Sequence, residues 1–218
     1  MCGRYTLTSP IDRLIGEFGL AGADGDLHPN FNVAPTQEVA AVVAGNGGRR
    51  LEMLRWGLVP SWADDPGIGA RMINARSETA PEKPSFRGAF RRRRCLIPAD
   101  GFYEWKREEG GKQPFYIHMN DGRPFAFAGL WESWNDGEIR SCTILTTSAN
   151  DLVRPVHERM PVILPAGDRD AWLDPEAERE ELVSLLRPYP GDDLETFPVS
   201  RFVNSPRNND ERCVQPAA

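Results

Sequence analysis

The sequence predicts an α+β fold: one domain with a curled, antiparallel, barrel-like β core flanked by short helices. Three observations lead there. From Cys95 to Thr147 five strand-like runs (CLIPA, GFYEWK, PFYIHM, PFAFAGLWE and SCTILTT) follow one another, with turn signals at Gly110-Gly111, Asp121-Gly122 and Asp136-Gly137. Closely spaced antiparallel strands of this kind curl into a barrel-like core. Helical patterning is confined to short segments, and neither a repeat nor a long linker interrupts the chain.

In chain order, Ser9-Pro10 ahead of Ile11, Leu14, Ile15 and Phe18 predicts an amphipathic helix. Ser9 would be its N-cap and Pro10 its first helical residue, with Gly19 and Gly22 ending it. Residues 38–44 and 51–58 predict two strands around the turn Gly45-Asn46-Gly47-Gly48. Asp64 to Gly69 reads as loop, and MINARSET (72–79) as the entry to a short helix limited by Pro81 and Pro84. After the five strands, helices are predicted over 169–173 and 176–186. The second would have Asp174 as N-cap and Pro175 at its first position, and Pro188 and Pro190 stop it. The predicted domain spans 1–204. Residues 205–218 are polar and aperiodic, which predicts a flexible tail.

Composition narrows the function classes. The 218 residues carry a formal net charge of −6, which argues against coating duplex DNA by bulk electrostatics. The charge is polarised, however: Arg87 and Arg91 to Arg94 form a basic cluster, while acids dominate residues 174–194. That cluster is either a solvated helix face or a local track for nucleic acid. No apolar run approaches the roughly 20 residues of a bilayer span, and MCGRYTLTSP has no secretory pattern. A cytoplasmic location without membrane association is expected, nucleoid-associated when bound to DNA. The four cysteines (Cys2, Cys95, Cys142, Cys213) form no CxxC pair, so no metal site or cofactor is expected. Cys95 and Cys142, in apolar strands, suit buried free thiols.

Cys2 differs from the other three. If Met1 is trimmed, residue 2 becomes a free 1,2-aminothiol. Its amine condenses with an aldehyde to an imine, and the neighbouring sulfur closes a five-membered thiazolidine. The second step is intramolecular and therefore fast. Glu104, in the aromatic strand GFYEW, either faces water at an edge or is desolvated with a raised pKa, as a general acid requires. His157 in VHERMP is a structural or an acid/base histidine, and Asn74 a turn residue or a neutral hydrogen-bonding group.

Read together, CGRY (2–5), NVAP (32–35), WGLVPSW (56–62), INAR (73–76), CLIPADGFYEW (95–105) and HERMP (157–161) resemble the SRAP family. These are the SOS response-associated peptidase domains, also called abasic-site processing proteins. The resemblance runs from residue 2 to about Asn204. It implies an SRAP-like fold, loss of Met1, and covalent capture of abasic sites in single-stranded DNA by Cys2 as a thiazolidine. The family's nucleophile falls on Cys2, its Asn on Asn74, its Glu on Glu104 and its His on His157. It also places Pro35 and Thr146 near the DNA. Arg4 and Arg76 are expected to clamp phosphates, and Trp62 and Trp105 to stack on bases. Abasic single-stranded DNA is the expected partner of a monomer, with AP-lyase activity and self-removal of Met1 as side reactions. Two alternatives share some of these features. An N-terminal-nucleophile amidohydrolase also begins Met-Cys-Gly, and a cysteine peptidase would use Cys2, His157 and Asn74.

Overall fold

The computed structural model describes residues 2–217 except 24–26 and 46, so Asn46 of the predicted turn lies outside the described residues. Strands β1 (Tyr5–Leu7), β2 (Leu20–Ala23), β3 (Asn30–Val33), β4 (Glu38–Gly45), β5 (Gly48–Trp56) and β6 (Asn74–Arg76) make up the first half. Strands β7 (Arg94–Ala99), β8 (Gly101–Glu108), β9 (Gly111–Met119), β10 (Phe125–Trp134) and β11 (Ile139–Ser148) are the five predicted runs. Three short strands follow: β12 (Arg159–Pro161), β13 (Ile163–Leu164) and β14 (Leu194–Pro198). The helices are α1 (Ile11–Phe18), α2 (Arg87–Arg92), α3 (Arg169–Leu173) and α4 (Arg179–Ser184). None is long and apolar enough to cross a membrane.

Two sheets form the core. One has the order β14-β9-β8-β1-β3, the other β12-β11-β10-β7-β4-β5-β2. β11 pairs antiparallel with β10, and also runs parallel to the end of β5 (Cys142 beside Trp56) and to β6 (Ile144 beside Asn74). These extra pairings curl the larger sheet into a ring without closing a barrel. Tyr5 seals the space between the sheets, edge-on to Trp56 at 5.3 Å and to Phe127 at 5.7 Å between ring centroids. Such pairs add about 0.5–1.5 kcal/mol beyond their buried area. All four cysteines are free and buried.

Gly101 shows how tightly the smaller sheet is packed. The Tyr116 ring lies across it, and its hydroxyl hydrogen-bonds Thr6 Oγ1 at 2.8 Å. A Cβ on Gly101 would stand 2.3 Å from Tyr116 Cζ. Gly101→Ala is therefore expected to destabilise the fold by about 1–3 kcal/mol through overpacking, read as a lower urea midpoint at unchanged m-value.

Three local expectations are corrected. Ser9 does not cap α1: its Oγ and N–H donate to Asp100 at 2.6 and 2.8 Å, and Pro10 stands at the cap position without a side-chain bond. The end of α1 is as expected, with Gly19 left-handed at φ 60°. MINARSET is not a helical entry, because residues 74–76 add as a strand to β11, a partner about 70 residues away that local sequence does not reveal. Asp174 does not start the last helix. Its Oδ1 accepts from Glu176 N at 2.9 Å in a turn, and α4 begins only at Arg179.

The segment after residue 204 makes contacts of its own. Asn32 Nδ2 donates to the carbonyls of Val203, Ser205 and Asn208 at 3.1, 2.9 and 2.8 Å. Phe31 N donates to Asn209 Oδ1 at 2.7 Å, Cys213 is fully buried, and Ala217 N reaches Pro198 O at 2.8 Å. Polar side-chain-to-backbone bonds fasten this segment, so it lacks the apolar periodicity that would have announced it. The arginine run also divides. Arg94 is buried and donates to the carbonyls of Trp172, Phe90 and Arg91 at 2.7, 2.8 and 2.6 Å, and Arg93 pairs with Glu132 at 2.7 Å. Arg87, Arg91 and Arg92 alone remain exposed.

Candidate active site

The start of the chain runs along β8. Tyr5 pairs with Phe102, and Tyr103 N donates to Arg4 O at 3.0 Å. Continued by two residues, this register brings Cys2-Gly3 beside Glu104. Cys2 is fully buried, and its thiol donates weakly to Arg4 O at 3.7 Å. Burial, and then the charge of Glu104, push the thiol well above its ordinary pKa. At neutral pH it is a thiol rather than a thiolate.

Glu104 is 2% exposed. Burial pushes its carboxyl above the usual range, and nearby positive charge, His157 included, pulls the other way. The result is a carboxylic acid that keeps its proton further toward neutrality than an exposed glutamate. Asn74 arrives from β6, fixed in place by the parallel pairing with β11. Its Nδ2 donates to the Cys2 carbonyl at 2.7 Å, while its Oδ1 is buried without a hydrogen-bond partner among the described residues. His157 ends the turn that follows β11, where its N–H donates to Val153 O at 3.0 Å. Its Nδ1 accepts from Arg159 N at 2.9 Å and lies 3.2 Å from Arg159 O, which fixes the ring's orientation.

A cavity of about 420 Å³ opens at this point, lined by Glu104, Trp105, Arg107, Lys112, His157 and Asn204. The structure thus assembles Cys2, Asn74, Glu104 and His157 from four distant parts of the chain, with Trp105 beside them. Trp105 Nε1 donates to Asn204 Oδ1 at 2.8 Å. The other expected contacts do not line this cavity. Arg4 Nη1 is bonded to Asn32 Oδ1 at 2.9 Å and Val203 O at 3.0 Å, so it also holds the C-terminal segment. Arg76 is exposed on β6, beside the fully buried Thr146 of β11. Pro35 is half-buried, leading into Thr36 at φ 71°. Trp62 is 57% exposed, an unusual position for a large aromatic ring.

Sequence reading alone misses Arg107, Lys112, Asn204 and Arg159. Asn204 stands at the edge of a segment that reads as a loose tail. Arg107 and Lys112 meet because the hairpin at Gly110-Gly111 sets their register, and that turn is legible. Arg159 lies inside HERMP; it pairs with Glu78 and donates to Thr146 O at 2.6 Å.

Residues 1–206 match the family described as SOS response associated peptidase (SRAP). The chain belongs to the SRAP family. Relatives include "Abasic site processing protein YoqW" of Bacillus subtilis, 46% identical over 99% of both chains. "Abasic site processing protein HMCES" of Gallus gallus is 33% identical over 88% of this chain and 68% of its own. Among solved structures, a Bacteroides thetaiotaomicron protein superposes with a TM-score of 0.90 at 27% identity over 100% of both chains. The cavity therefore lies in an SRAP domain.

Proposed function

We propose that this SRAP protein processes abasic sites in DNA by covalent capture on Cys2 after Met1 has been removed. The observation that carries the reading is the buried, protonatable Glu104 set against the backbone of Cys2. The names of the relatives support the substrate class. Met1 itself lies outside the described residues.

The chemistry follows from the groups present. An abasic deoxyribose is mostly a closed hemiacetal. Glu104 gives a proton to the ring oxygen as the anomeric hydroxyl loses one, which frees the C1′ aldehyde. The Cys2 amine adds to C1′, and loss of water gives an imine. His157 moves the protons of this dehydration. Asn74 Oδ1, a buried acceptor close to Cys2, receives an N–H of the amine without adding charge that would keep it protonated. The sulfur then adds to C1′ while its proton passes to nitrogen, and the thiazolidine is complete. Amine, thiol and aldehyde have become one ring and one water. The imine also acidifies the C2′ protons, so slow β-elimination accompanies capture. A neutral, buried thiol suits addition to an adjacent imine better than attack on external peptides, which favours capture over general proteolysis. Self-removal of Met1 would use the same residues.

DNA is held as a single strand by a monomer in this reading. Trp62 and Trp105 stack on bases and Arg76 meets phosphate, while Arg4, Pro35 and Thr146 support the surrounding backbone from outside the cavity. Trp62→Ala is expected to weaken binding to an abasic oligonucleotide by about 1–3 kcal/mol, the value of one base–aromatic stack, in a fluorescence-anisotropy titration at fixed salt. Intact mass tests the whole proposal. Purified protein should lack the Met1 residue, then gain the mass of an abasic oligonucleotide less one water. An adduct formed by protein that retains Met1 would refute it.

A further inference from the structure

We propose that the tip of the β8–β9 hairpin is a binding site for the DNA phosphate next to the abasic sugar. This rests on the reading above and names a contact that the sequence motifs do not contain. Arg107 and Lys112 stand directly opposite one another in the ladder, two residues beyond the opposed pair Trp105 and Pro114. All four share one face of the sheet. Like charges directly opposed across antiparallel strands destabilise the pair, so a stable hairpin would ordinarily place a carboxylate at one of these positions. Here neither cation has an ion-pair or hydrogen-bond partner among the described residues. The tip's own acids do not supply one: Glu108 is 3.8 Å from Lys106, and Glu109 stands in the turn.

Both Arg107 and Lys112 line the cavity that holds Glu104 and His157. The same face of β8 thus offers an aromatic ring at Trp105 and then the cations roughly 7 Å further along, from a rise of about 3.4 Å per residue. A base or sugar against the ring, with the adjoining phosphate on the cations, fits that spacing. An anion between Arg107 and Lys112 converts their repulsion into two charge-assisted bonds. The ladder's misfit is thereby explained by a ligand.

The test uses the full, Met1-trimmed chain and a single-stranded oligonucleotide carrying tetrahydrofuran, an abasic analogue with no aldehyde. The double variant Arg107→Glu/Lys112→Glu should bind about tenfold or more weakly, with the slope of log K against log salt reduced by about 1–2. Arg13→Glu, a single charge reversal on the exposed face of α1, should leave that slope unaltered. Should the double reversal fail to fold by near-UV circular dichroism, Lys112→Gln is used, with an expected slope change of about 1. An unaltered slope in the hairpin variant, or an equal loss in Arg13→Glu, overturns the site. Failure of the capture reading shows separately, as wild-type protein that forms no adduct with the aldehyde-bearing oligonucleotide.

Discussion

Cys2→Ala is expected to abolish the adduct that survives denaturing electrophoresis, while leaving a species that borohydride traps. Alanine is as small as cysteine, so aminopeptidase trimming still removes Met1 where self-removal is lost, and a free α-amine remains. That amine forms the imine at C1′, which is reversible and is lost on denaturation unless reduced. Ring closure needs the sulfur. The variant thus separates the two nucleophilic atoms of one residue. Loss of a fully buried side chain also costs stability, roughly 1 kcal/mol, so folding is checked by thermal melting. A durable adduct in the Cys2→Ala protein without reductant would refute the thiazolidine.

Glu104→Gln is expected to slow capture by about 10²–10⁴-fold, the usual contribution of a general acid or base. The substitution keeps the shape and the hydrogen-bonding span but removes the transferable proton. The wild-type rate should fall as pH rises through the raised pKa of Glu104, and the variant should lack that limb. Stability should move the opposite way. The folded carboxyl binds its proton more tightly than the unfolded one, whose pKa is about 4.3. Its stabilising contribution is therefore fully present below that value and is lost as pH rises through the folded pKa. Relative to wild type, the Glu104→Gln protein should melt higher at pH 8, by about 2–4 °C per kcal/mol relieved. The difference should vanish near pH 4. Slower chemistry with greater stability would identify Glu104 as a residue held at a folding cost for its reaction.

The strands were legible because period-2 alternation and glycine turns are local signals. β7 to β11 fall within a few residues of their predicted bounds. Glu104 was legible for the same reason, since an acid embedded in GFYEW has aromatic neighbours on both sides. The order in which the strands meet was not. That β6 runs parallel to β11 depends on a pairing between Asn74 and Ile144, and this pairing brings Asn74 to Cys2. Ser9 has the look of a cap because it precedes a helix, yet Asp100 takes its hydroxyl from 91 residues away. The C-terminal segment was hidden by its polarity, which serves here to bind backbone carbonyls to Asn32. Position, more than residue type, was what the sequence withheld.

Arg4 has consequences for biosynthesis. Its guanidinium joins Asn32 to a carbonyl 199 residues further along the chain. A chain still on the ribosome has made its reactive end but not the segment that seats it. The N-terminal segment is therefore among the first parts synthesised, and its seating is among the last contacts completed.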